Sequence, residues 1–88
     1  MNFGETIEAV KNGDKRAYRS GWNKMFIYVE KGKTIPFKVL RDPIKTWLNG
    51  DMVILPHFNM KSADNKIVVG WLASQTDMLA TDWQLIER

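Results

Sequence analysis

The 88 residues include no cysteine and a single histidine, His57. Without cysteine there is no disulfide and no thiolate-bound zinc, and one imidazole cannot build a multi-histidine metal site. Long apolar runs are missing as well. Met25–Val29 and Met52–Pro56 are the longest, far below the roughly 20 residues that cross a bilayer. The opening Met1-Asn2-Phe3-Gly4-Glu5 lacks the charged-then-apolar order of a secretory signal. Glycine forms neither a Walker loop nor a dinucleotide fingerprint, so no cradle for a phosphate cofactor is written into the chain. Charge of one sign is scarce: 13 basic and 10 acidic residues leave +3, a mild field rather than a nucleic-acid footprint. No repeat, linker or low-complexity stretch divides the sequence, which reads as one domain over residues 1–88. The expectation is a soluble cytoplasmic protein with no metal and no cofactor. Aromatic rings, by contrast, are plentiful. Trp22, Trp47, Trp71 and Trp83 join four phenylalanines and two tyrosines, more than a small core needs, and the surplus points to a ligand or a partner chain.

Local pattern predicts an α+β fold, one N-terminal helix packed on a small antiparallel β-sheet. Asn2 and Glu5 have the spacing of a capping box, Phe3, Ile7 and Val10 follow at helical intervals, and Asn12-Gly13 is a left-handed stop. A helix of about ten residues is too short to stand alone, so its stripe must lie on the sheet. The period then becomes two. Residues 17–19 and 25–29 read as strands around a Gly21-Trp22-Asn23 turn. Asp42-Pro43 reads as a cap with proline at the first helical position, opening a short helix over residues 44–48 that ends at Asn49-Gly50. Residues 58–61 and 66–69 form a hairpin about Asp64-Asn65. Residues 74–82 read as a loop with one helical turn, and residues 83–86 as a final strand.

Catalysis finds little support. A nucleophile needs a neighbouring base, and His57, after Pro56 in an expected strand, reads as a surface or edge residue. Asp77 and Asp82 could form a carboxylate pair, but acidic residues in such a loop more often cap helix ends. No catalytic residue is assigned. Two segments can instead build a binding site. Arg19-Ser20-Gly21-Trp22-Asn23 combines close backbone approach, a flat ring and directed donors, or is simply a turn with Trp22 covering the end of the core. Gly70-Trp71-Leu72-Ala73-Ser74-Gln75-Thr76-Asp77 sets hydroxyls, an amide and a carboxylate beside an indole, or is a loop whose hydroxyls satisfy the local backbone. Together they suggest a pocket that stacks a base and hydrogen-bonds sugar hydroxyls or phosphates.

These same segments carry a resemblance. Asn2-Phe3-Gly4-Glu5, Arg19-x-Gly21-Trp22-Asn23 and above all the ordered block Gly70-Trp71-Leu72-Ala73-Ser74-Gln75-Thr76-Asp77-Met78-Leu79-Ala80-x-Asp82-Trp83 resemble the second type of Thoeris anti-defence family. It is a group of small bacteriophage and prophage proteins, formerly a domain of unknown function. The resemblance covers about residues 1–30 and 57–88 and leaves about 32–56 as a variable insertion. It implies a sponge acting in the cytoplasm of the infected bacterial host. Such a protein binds the cyclic ADP-ribose isomer that triggers Thoeris immunity and holds it without degrading it. It also implies a homotetramer with pockets where subunits meet, and in some relatives a separate site for other cyclic nucleotides. With that resemblance, Trp22, Phe26 and Trp71 become stacking or apolar walls. Asn23, Ser74, Gln75, Thr76 and Asp77 become polar contacts, with Asp77 on ribose hydroxyls because a carboxylate repels phosphate. Arg19 either meets a phosphate or pairs with an acidic neighbour. The competing classes are a signal-hydrolysing enzyme, a single-strand nucleic-acid binder and a module that blocks a host protein directly.

Overall fold

A computed structural model describes residues 1–87. Helix α1, Phe3–Val10, starts where its sequence says it should: the Asn2 side chain accepts from the Glu5 backbone N–H, and the Glu5 carboxylate accepts from the Asn2 backbone N–H. Thr6 and Val10 are the buried members of its stripe, and the Thr6 hydroxyl donates to the Asn2 carbonyl at 2.8 Å. Gly13, at φ 89°, turns the chain into the sheet.

Five strands form that sheet: β1 Lys15–Arg19, β2 Phe26–Glu30, β5 His57–Lys61, β6 Ile67–Val69 and β7 Trp83–Glu87. Their spatial order is β6-β5-β2-β1-β7, and every pairing is antiparallel. The α+β class and the 58–69 hairpin expected from sequence are both present. Register decides which side chains meet α1. Ala17 stands opposite Ile27 and Leu85, Val29 opposite Phe58, and Arg19 opposite Trp83. Alternation therefore sends Ala17, Ile27, Val29 and Trp83 to the helix side, where they close the core with Val10. Phe3, Phe58, Met60 and Leu85 pack at its margin.

The other face of the sheet carries Arg16, Tyr18, Phe26, Tyr28, Asn59 and Lys61. The Arg16 guanidinium lies 4.6 Å from the centre of the Phe26 ring, with the Lys61 ammonium at 5.8 Å. Asn59, buried among these, donates to the Tyr28 hydroxyl at 3.4 Å and accepts from the Gly70 N–H at 3.1 Å.

Between β2 and β5 the chain leaves the sheet as an arm. It contains β3 Lys33–Ile35, a 3-10 turn at Phe37–Val39, α2 Ile44–Leu48 and β4 Met52–Ile54. Strands β3 and β4 pair only with each other, as a second sheet. They were not legible in the sequence, whereas α2 occupies the expected residues. Asp42 accepts from both the backbone N–H and the hydroxyl of Thr46, and Asn49 ends the helix in the left-handed region. The structure puts Pro43 at the N-cap rather than at the first helical position, so the Asp42 carboxylate acts from one residue further out. The arm lengthens the molecule to 45 × 26 × 25 Å, with a Cα radius of gyration of 15.8 Å against the ~12 Å of a compact chain this long.

Candidate functional site

The β1–β2 turn and the segment after β6 converge on the helix side of the sheet. Gly21, at φ 86°, reverses the chain after β1, and the Trp22 N–H donates to the Arg19 carbonyl at 3.0 Å. Gly70, at φ 80°, bends the chain out of β6, and the Trp71 N–H then donates to the Phe58 carbonyl at 2.7 Å. Both positive angles favour glycine, because a Cβ meets the backbone there. The two turns aim their tryptophans at Trp83. Ring centres lie 5.2 Å apart for Trp22–Trp83 and 6.3 Å for both Trp22–Trp71 and Trp71–Trp83, all edge-to-face. Phe58 meets Trp71 at 6.4 Å in the same manner. Each such pair contributes about 0.5–1.5 kcal/mol beyond the area it buries, so the wall is stiff.

Helix α3, Gln75–Leu79, borders the wall. Ser74 caps it through a second capping box: its hydroxyl oxygen accepts from the Asp77 N–H at 3.1 Å, and Asp77 Oδ2 accepts from the Ser74 N–H at 3.3 Å. Asp77 Oδ1 accepts from Arg19 Nη1 at 3.1 Å, while Arg19 Nε donates to Asp82 Oδ1 at 3.0 Å. The hydrogen bonds it donates to Asp82 and then to Asp77 hold the Arg19 guanidinium still more firmly in its charged form. Trp83 Nε1 donates to the Asp77 carbonyl at 3.0 Å, which ties the loop to the wall.

The structure brings Trp22, Trp71, Ser74 and Asp77 together at this end. Both oxygens of Asp77 are occupied by Arg19 and the cap, and Ser74 is the other half of that cap. Arg19 thus takes the second of its two expected roles, pairing with acidic neighbours. Gln75, Thr76 and Asn23 are exposed, and among the described residues no hydrogen-bonding partner takes up their side chains. They are the donors and acceptors left over for another molecule. Phe26 stands apart: the pleat places it on the opposite face, beside Arg16 and Tyr28. Trp83, the hub of the wall, lies buried in the core, and Asp82, weighed from sequence as a cap or as half of a carboxylate pair, is instead the second partner of Arg19.

His57 opens β5 opposite Glu30, in the row of the sheet next to the arm, with Nδ1 2.9 Å from the Leu55 carbonyl oxygen. It is paired to local backbone rather than to a nucleophile. Hollows of about 320 and 340 Å³ lie on the open face and meet at Glu30, one floored by Asn59 and Val69, the other by Phe26 and Tyr28. Among the described residues no helix is long and apolar enough to cross a membrane, and no cluster of His, Asp or Glu is arranged to hold a metal ion.

The sequence matches known proteins over nearly its whole length. The pattern of the Thoeris anti-defense 2-like domain matches residues 1–86, arm included. The protein "Thoeris anti-defense 2" of Bacillus phage SP01 is 34% identical over 95 aligned residues, covering 98% of this chain and 94% of that relative. The chain belongs to the Thoeris anti-defense 2-like family.

Proposed function

We propose that this chain is a bacteriophage anti-defence protein that captures a cyclic ADP-ribose isomer in the cytoplasm of the infected host and thereby blocks Thoeris immunity. It acts as a sponge, holding the nucleotide without breaking it. The observation that carries this reading is the pair of half-buried rings Trp22 and Trp71, backed by the buried Trp83, beside the unpaired Asn23, Gln75 and Thr76. An indole stacks any base for about 1–3 kcal/mol, and short polar side chains suit ribose hydroxyls. The relative named for anti-defence against Thoeris supports the biological setting. A binder also suits a chain whose one imidazole is hydrogen-bonded to local backbone and faces no nucleophile.

Capture at nanomolar concentration requires about −12 kcal/mol. A nucleotide yields that only when most of its surface is enclosed. A wall open to solvent on one chain therefore needs a second subunit to close it, and a homotetramer with shared pockets meets that need.

Calorimetry against a panel of cyclic ADP-ribose isomers tests the reading, followed by denaturation and mass measurement of the released nucleotide. The expected result is nanomolar binding, weakened by Gln75→Ala and Thr76→Ala, with the ligand recovered intact. A linear product would make the chain a hydrolase, and no binding by any isomer would end the reading.

A second reading draws on the open face. There Phe26 and Tyr28 lie on the central strand with Arg16 and Lys61 around the Phe26 ring, a stacking platform for single-stranded nucleic acid. Affinity for an oligonucleotide that falls steeply with salt would favour it, because each phosphate contact releases counterions.

A further inference from the structure

The far end of the arm exposes what the rest of the chain buries. The β3–β4 ladder runs from Lys33 opposite Ile54, near the main sheet, to Ile35 opposite Met52, so residues 36–51 close it at the end away from the body. Within that segment α2 sets Ile44, Trp47 and Leu48 at i, i+3 and i+4, on one side of the helix. All three are exposed, Trp47 at 74%, and Val39 on the preceding turn stands at 58%. Leu40 is the one buried side chain of residues 36–51 among the described residues.

The charge around these side chains says what they fit. Residues 31–56 hold five basic and two acidic residues and carry the whole +3 of the chain, leaving the remainder neutral. Local donors take up both carboxylates. Asp42 accepts from the N–H and the hydroxyl of Thr46, and Asp51 accepts from the Phe37 N–H at 2.8 Å. The cations are left free. Lys38 and Arg41 are exposed and make no ion pair among the described residues, while the Lys45 ammonium lies 5.0 Å from the centre of the Phe37 ring. Exposed apolar side chains thus stand among uncompensated positive charge.

We propose that the far end of the arm docks on an anionic lipid surface, with Trp47 and its neighbours in the headgroup layer and Lys38 and Arg41 on headgroup phosphates. An indole favours that layer because one part of it is apolar and the other donates a hydrogen bond. Stable attachment takes two signals, such as an apolar insertion and a basic patch, and the arm has both. Among the described residues no helix is long and apolar enough to cross a bilayer, so the arm lies on the surface. A protein partner would need a recess shaped for Trp47. A fluid bilayer needs none, which suits the end of a projecting arm. The Gly21-Trp22 turn and the arm leave opposite ends of β2, so docking keeps the tryptophan wall open, and it stands independently of what that wall binds.

Cosedimentation of the full chain with vesicles tests the docking, with phosphatidylglycerol mixed into phosphatidylcholine against phosphatidylcholine alone. The wild type should pellet with the anionic vesicles at low salt, release as salt rises, and stay in solution with the neutral ones. Brominated acyl chains in the anionic vesicles should quench its tryptophan emission, because Trp47 reaches them. Lys38→Gln with Arg41→Gln should weaken binding about 25-fold, each cation near such a surface counting for roughly fivefold. Trp47→Ala should weaken it about 10-fold and abolish the quenching, with an unchanged far-ultraviolet spectrum. A wild type that stays in solution with anionic vesicles overturns the proposal and leaves the arm to a protein surface. Equal binding to the neutral vesicles overturns it as well, as does quenching that survives in Trp47→Ala.

Discussion

The arm and the body are built from similar material and use it in opposite ways. Eleven of the 26 residues from 31 to 56 are apolar, close to the 44% of the chain as a whole. In the body that material closes over Val10, Ala17, Ile27, Val29 and Trp83, whereas in the arm it buries Leu40. Composition is therefore blind to the difference. What separates the two regions is layering: α1 covers one face of five paired strands, while β3 and β4 have each other and no covering layer among the described residues. A two-stranded sheet of this kind is marginal in water. Its exposed Trp47 and Leu55 have no internal layer to pack against among the described residues.

Substitutions can break that contrast. Trp83→Ala strikes the body's hub, removing a fully buried ring and the hydrogen bond to Asp77, and should cost about 3–5 kcal/mol in urea unfolding. Gly32→Ala strikes the arm's base. The new methyl meets backbone oxygen, and overpacking of about 1–3 kcal/mol should appear as faster amide exchange in β3 and β4, with β1 and β7 unaffected. Ser74→Ala removes the α3 cap and should cost about 1 kcal/mol, read as faster exchange of the Asp77 amide.

Trp47→Ala sharpens the comparison from the other side. Despite the size of its ring, it should change the stability of the dilute single chain by no more than about 0.5 kcal/mol, because that ring is exposed. A large loss there would mean the arm has a core after all.

The smallest effect concerns pH. The Asp64 carboxyl is held below its usual range, first by the Ser62 hydroxyl and then by Lys66. A depressed folded-state value stabilises the fold above the unfolded value and loses that contribution as pH falls through the lower folded one. Asp64→Asn should therefore alter the β5–β6 hairpin only above that acid range, leaving wild type and variant alike at the acid end of a titration followed by amide exchange.

The parts legible from sequence are those whose causes lie within a few residues. The Asn2–Glu5 capping box, the α2 residues and the hairpin about Asp64-Asn65 are local bargains of hydrogen bonding and backbone angle, and the structure contains each of them. The expected caution about Asp77 as a capping residue was sound, since it completes the Ser74 box. The strands of the arm were illegible for a physical reason. Each has three residues, too few to show a period, and their pairing is closed across the residues between Ile35 and Met52. The site shows the same division. Trp22, Trp71 and the 74–77 turn were readable as a cluster of ring and polar chemistry. Phe26, placed with them by composition, was sent to the other face by the register that sets it opposite Lys61.

Sequence by itself determined the kinds of element, the family and the inventory of chemistry: many indoles, no thiol, one imidazole, a near-balanced charge. Tertiary structure alone decided how that inventory is shared out. Arg19 and Asp77 lie 58 residues apart and meet only because β1 and β7 pair. Trp83 is buried and Trp47 exposed because one lies beneath α1 and the other on an uncovered arm. Pairing and burial depend on which distant segments come to lie side by side, and no local spacing of residues encodes that.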